Sequence, residues 1–152
     1  MSIKRITDPK EFKKVWEDLD VLFQEENKVF GHCAQPISAK CVIDSWAHPA
    51  LLKNTMHTWA SIEDEKANGV IMFLESYSTI FGKKMFMEFF WICKNPKKSF
   101  SLLRKALSFA KERGVEYVTI NCVENHPKSK RLKEIYKKLG FNKDSETYIK
   151  KI

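Results

Sequence analysis

Residues 84–114 read KMFMEFFWICKNPKKSFSLLRKALSFAKERG, and this stretch decides the fold. Lys84 to Cys93 is apolar almost throughout, as expected of a central strand covered on both faces. Pro96 ends it. Ser99 or Ser101 can cap the helix that follows, with Leu103, Ala106, Leu107 and Ala110 along one side and Gly114 as its C-terminal glycine. Val115 to Val123, rich in β-branched residues, is the next strand, so the helix is a crossover to a parallel neighbour.

Upstream, Thr55 to Glu63 and Gly69 to Tyr77 are two further strand candidates, separated from each other by Asp64, Glu65 and Lys66 and from the central strand by Phe81-Gly82-Lys83. The three suit an antiparallel meander. Before them come a short strand, Ile3 to Ile6, and a helix capped by Thr7 or Asp8 with Pro9 in its first turn. That helix carries Phe12, Val15, Trp16, Leu19, Leu22 and Phe23 at core-facing spacing and ends near Gly31. After the link Gly31 to Ser38, Ser38 caps a second helix through Cys41, Val42, Ser45 and Trp46, which Pro49 disturbs or ends. Downstream, Pro127 opens a helix with Leu132, Ile135, Tyr136 and Leu139 on one face and Gly140 at its end, before a last strand around Tyr148 and Ile149. The order predicts one α/β domain over residues 1–152, with a mostly antiparallel sheet, one parallel pair and about four helices.

Composition narrows the function. At 152 residues, 43% of them hydrophobic, the chain can bury one substantial core. The longest apolar run is about half the roughly 20 residues a spanning helix needs, and the N-terminus has no apolar signal segment, so a cytoplasmic protein is expected, with no membrane partner. Cys33, Cys41, Cys93 and Cys122 are scattered, which predicts buried or unreactive thiols; the four histidines are equally dispersed, and no spacing supports a zinc site from His32, Cys33 and His48. The formal charge of +8 is segregated. Residues 94–113 and 128–138 take 13 of the 27 basic side chains and 2 of the 19 acidic ones, leaving the rest of the chain with 14 and 17. Such segments suit a polyanion, either a phosphorylated cofactor or a nucleic acid.

Ile135-Tyr136-Lys137-Lys138-Leu139-Gly140-Phe141, together with the run from Glu88 through Pro96 to Gly114 and the ending from Glu146 to Lys150, resembles the GNAT acyltransferase superfamily, in its small, divergent phage and bacterial type. The resemblance covers roughly the last half of the chain. It implies a GNAT-like fold and an N-acetyltransferase that moves an acetyl group from acetyl-CoA to a small-molecule or protein amine, as a monomer or homodimer. It makes Tyr136 the acid for the departing thiolate. It places the cofactor against Ile92, Cys93, Lys94, Lys97, Lys98, Ser99, Phe100, Ser101 and Asn125, with the oxyanion donor a backbone N–H near Ile92 to Lys94, where members commonly bulge. The acceptor amine would enter from Gly31 to Ile37 and from the turn near Phe81.

One departure stands out. Members usually place two spaced glycines between this strand and its helix, where here Lys97-Lys98-Ser99-Phe100-Ser101 follows Pro96 in a shortened loop without glycine. A helix N-terminus with lysines beside it can meet the pyrophosphate in part. The second function that fits is therefore a catalytically silent module of the same shape that binds nucleic acid or a protein through its basic helices.

Glu88 is singled out by chemistry alone, because a carboxylate inside an apolar strand is costly unless partnered or used. Alternation groups it with Phe86, Phe90 and Ile92, away from Met87, Phe89 and Trp91. Facing a substrate cleft, its pKa should rise toward that of a general base.

Overall fold

The computed structural model describes residues 2–27, 38–80, 82–122 and 126–146. In chain order the elements are β1 (Ser2–Ile6), α1 (Pro9–Asn27), α2 (Ala39–Trp46), α3 (Pro49–Asn54), β2 (Met56–Glu63), β3 (Lys66–Ser78), β4 (Lys83–Cys93), α4 (Pro96–Glu112), β5 (Tyr117–Thr119) and α5 (Ser129–Lys138). The strands form one sheet in the order β1-β2-β3-β4-β5, antiparallel except for the β4–β5 pair. The meander and the crossover thus stand as the sequence predicts.

Two apolar layers hold the sheet. On one face Phe12, Val15, Trp16, Leu19 and Phe23 of α1 pack with Met56, Val70, Met72 and Ile92. On the other, Leu102, Leu103, Ala106 and Ala110 of α4 pack with Trp59, Ile71, Phe73 and Phe86. Trp16, Phe23 and Phe90 meet edge to face, with centroids 5.0–5.7 Å apart, an arrangement favoured by the ring quadrupoles.

One open alternative is decided, and several local expectations are corrected. Asp8 is the α1 cap, its Oδ1 accepting the N–H groups of Lys10 and Glu11 at 2.7 and 3.0 Å. Ser38 stands at the N-cap of α2 without a side-chain bond there; Asp20 reaches over from α1 and accepts the Ala39 N–H at 2.8 Å instead. Pro49 does more than end α2: it opens α3, which makes five helices among the described residues. The same preference moves the cap of α4 from Ser99 or Ser101 to Asn95, because Pro96 starts the helix as well as stopping the strand. The strand expected over 115–123 is confined to Tyr117–Thr119. Of the thiols expected to be buried or unreactive, Cys41 is exposed and Cys93 and Cys122 are partly buried. The predicted α1 end near Gly31, the loop 31–37 with His32 and Cys33, Phe81, Asn125 and the last strand lie outside the described residues. Among the described residues, no helix is long and apolar enough to cross a membrane.

Candidate active site

β4 bulges at Phe89. Its register with β3 runs Met72↔Phe90 and then Phe73↔Glu88, so one β4 residue has no partner between them. An extra residue reverses the alternation. Phe86 packs on the α4 side, whereas Phe90 and Ile92 pack on the α1 side and Trp91 joins Phe86. The expected grouping of Glu88 with Phe86, Phe90 and Ile92 therefore holds only for Phe86. The expected bulge near Ile92 to Lys94 is also displaced, and the Lys94 N–H is bonded to the Asn68 carbonyl at 2.9 Å, so it is engaged within the protein.

The bulge coincides with the parting of the parallel pair. β5 pairs with β4 only from Met85↔Tyr117 to Met87↔Thr119. Just beyond, Asn121 turns back: its N–H donates to Glu88 Oε2 at 2.8 Å and its Nδ2 to the Glu88 carbonyl at 3.2 Å. Burial, only partly offset by these bonds, pushes the Glu88 carboxyl up to about 7. The group is balanced between its two forms near neutrality.

Tyr136 is brought to the same place by α5. It is buried, and its ring stacks on Trp91 at 6.2 Å and 26°. Phe141, whose N–H is bonded to the Tyr136 carbonyl at 2.9 Å, closes on its other side. Burial first, then the charges of Glu88 and Cys122, drive the phenol upward, so it stays protonated. The charge of Glu88 is thus felt at Tyr136.

The residues expected to hold a cofactor divide sharply. Ile92 is buried in the core on the α1 side, and Phe100, partly buried, packs edge to face on Trp91 at 5.7 Å. The Cys93 thiol contacts the Asn95 carbonyl at 3.2 Å, and burial raises its pKa, which disfavours the thiolate. Lys98 is committed to Glu63 at 2.6 Å. Lys94 and Lys97 are exposed, with Ser99 and Ser101 partly buried in the first turns of α4.

A second polar cluster escaped sequence reading. At the opposite end of α4, His57 of β2 is fully buried and stacks on Phe86 at 5.0 Å. Arg5 Nη2 lies 3.1 Å from His57 Nδ1; arginine only donates, so the neutral ring carries its proton on Nε2 and gives it to Glu75 Oε2 at 2.6 Å. Arg113 Nε donates to the same oxygen at 2.6 Å. Burial opposes the Glu75 charge, but the bonds from His57 and Arg113 hold its pKa below the usual range; burial lowers that of His57. Four elements contribute one residue each, so no local spacing announces the cluster.

The chain matches no protein-family model and no curated protein. Solved structures do match. A probable acetyltransferase is 18% identical, with 100% of this chain and 98% of that one covered at a TM-score of 0.67. An aminoglycoside acetyltransferase from an uncultured soil metagenomic sample, solved with sisomicin, is 13% identical over 99% and 96% at 0.69. The ribosomal-protein-alanine N-acetyltransferase of Brucella melitensis biovar Abortus 2308 is 13% identical over 100% of both at 0.66. Likeness at this level of identity establishes the fold alone: the described residues have a GNAT-like fold.

Proposed function

We propose that the chain is an N-acetyltransferase that moves an acetyl group from acetyl-CoA to a small-molecule or protein amine at the parting of β4 and β5. The observation that carries this reading is Glu88, held by Asn121 beside the bulge with a pKa of about 7 where the β4–β5 pairing has ended, with its charge felt at a protonated Tyr136. The names of structures with this architecture point the same way, being acetyltransferases of small molecules and of proteins.

Acetyl-CoA, when bound, supplies an acyl thioester. The fit of this chain to it is uneven. The parted strands with Trp91, whose buried indole N–H has no protein partner, suit a slender amide-bearing arm, while around the start of α4 the exposed ammoniums among the described residues are those of Lys94 and Lys97. Glu88 Oε would take a proton from the incoming ammonium, leaving a nucleophilic amine, which a carboxylate with pKa near neutrality can do at working pH. A backbone N–H at the Phe89 bulge would meet the developing oxyanion. Tyr136 Oη holds the proton that the departing sulfur needs, and its stack on Trp91 fixes where that proton is presented.

Release of free thiol from acetyl-CoA in the presence of a broad amine panel tests this. Amine-dependent release is expected. No release with any amine, at cofactor concentrations that saturate a calorimetric titration, would overturn the reading.

A further inference from the structure

The start of α4 is closed from within. A helix begins with N–H groups that lack intrahelical partners and readily bind phosphate. Here Pro96 has none to offer, the Lys97 N–H is taken by Asn95 Oδ1 at 3.0 Å, and those of Lys98 and Ser99 reach the Asn95 carbonyl at 3.1 Å. The positive end of the helix already has an anion as well. Glu63, from the end of β2, is paired with Lys98 of the first turn at 2.6 Å and receives Asn68 Nδ2 at 2.8 Å; that bond with Lys98 holds its carboxylate in the charged form. Asn68 is stitched to the same corner twice more, by its carbonyl to the Lys94 N–H and by its side chain to the Ser61 hydroxyl. Every described backbone donor from Lys97 to Ser99 is engaged, and the partly buried ammonium of Lys98 is paired with Glu63.

We infer that this protein selects its acyl donor by the thioester-bearing arm and not by the diphosphate, with Asn95 and Glu63 as the residues that remove diphosphate recognition. The inference rests on the proposed acyl transfer and extends it to donor specificity. Among the described residues at the start of α4, what remains for the phosphates is Lys94 and Lys97, exposed charges whose attraction is screened within about 8 Å at physiological salt. Donors cut back to the pantetheine thioester should therefore serve nearly as well as acetyl-CoA, and any advantage of the full cofactor should vanish with salt.

The test compares kcat/KM for acetyl-CoA and S-acetylpantetheine at about 0.01 M and 1 M salt, where the screening length falls from about 30 to about 3 Å. The expected ratio is below about tenfold at high salt; a larger ratio there overturns the inference. A binding readout keeps it separate from the activity. Inorganic pyrophosphate titrated into 15N-labelled protein should leave the Lys97, Lys98 and Ser99 amide resonances in place, and should move them in the Glu63→Gln/Asn95→Ala variant. Shifts in the wild type, or none in a folded variant, overturn it. If neither thioester is cleaved with any amine the acyl-transfer reading falls, and the amide titration alone then decides whether the helix start is closed.

Discussion

Glu88 and Asn121 are joined twice, carboxylate to backbone N–H at 2.8 Å and carbonyl to side-chain amide at 3.2 Å, at the point where two parallel strands separate. The double link holds the strand ends at a fixed parting and fixes the direction of the Glu88 carboxylate. It also leaves that carboxylate with one bonded oxygen, Oε2, in partly buried surroundings, which is why its pKa lies near 7.

Glu88→Gln should keep the Asn121 N–H bonded through the amide oxygen and lower turnover by about 10²- to 10⁴-fold, the usual worth of a positioned base. In the wild type kcat/KM should rise with pH through about 7 and level off above it, and the variant should lose that step. Stability runs the other way. The folded pKa is raised, so Glu88 favours folding below its unfolded value of about 4.5 and that contribution is lost as pH rises through about 7. Thermal unfolding at pH 8 should therefore show the variant more stable by on the order of 1–3 kcal/mol, with little gain at pH 4.

Tyr136→Phe keeps the stack on Trp91 and removes only the hydroxyl. Thioester cleavage should drop about 10- to 10⁴-fold with calorimetric cofactor affinity nearly unchanged. A loss of stability with turnover per folded molecule intact would make the tyrosine structural.

The arrangement of elements was legible because each depends on local pattern: apolar runs of strand length, the amphipathic stripe from Phe12 to Phe23, and glycines at 114 and 140 that adopt the positive φ a helix end requires. Glu88 and Tyr136 could each be singled out for a local reason, one being a charge in an apolar strand and the other part of a motif. The face of Glu88 was not legible. Phe89, Phe90 and Trp91 are all aromatic, so either register yields an apolar face and no residue marks where the bulge falls. The α2 cap and the His57 cluster were hidden because their partners come from distant elements. Asn95 was in plain view before Pro96, but reading that proline only as a strand stop concealed the cap.

His57 and Glu75 tie β2 and β3 to the end of α4, and Glu75→Ala leaves His57 and Arg113 without their carboxylate. Denaturant unfolding should register a loss of about 2–4 kcal/mol. Because burial holds the folded pKa of His57 below its unfolded value of about 6.5, its contribution is complete above that pH and declines as pH falls below it. Stability of His57→Gln relative to wild type, followed from pH 8 to pH 5, should show the wild type losing more. Equal slopes would contradict a buried neutral imidazole.

Gly69 faces Cys93 across the β3–β4 pair, and a Cβ there would meet Cys93 Sγ at 2.5 Å and Ser61 Oγ at 3.1 Å. Gly69→Ala should cost about 1–3 kcal/mol by overpacking, and Cys93→Ala in the same chain should recover part of it, a coupling that a double-mutant cycle in urea would measure.

The central claim is that this architecture performs acyl transfer through Glu88. Its most direct test is amine-dependent thiol release from an acetyl thioester by wild type and Glu88→Gln side by side, across a broad amine panel and from pH 5 to pH 9. The account predicts release by the wild type that rises through about pH 7, and a variant that is folded but slower by about 10²-fold or more. Release by the variant at the wild-type rate, with the same pH dependence, would contradict it.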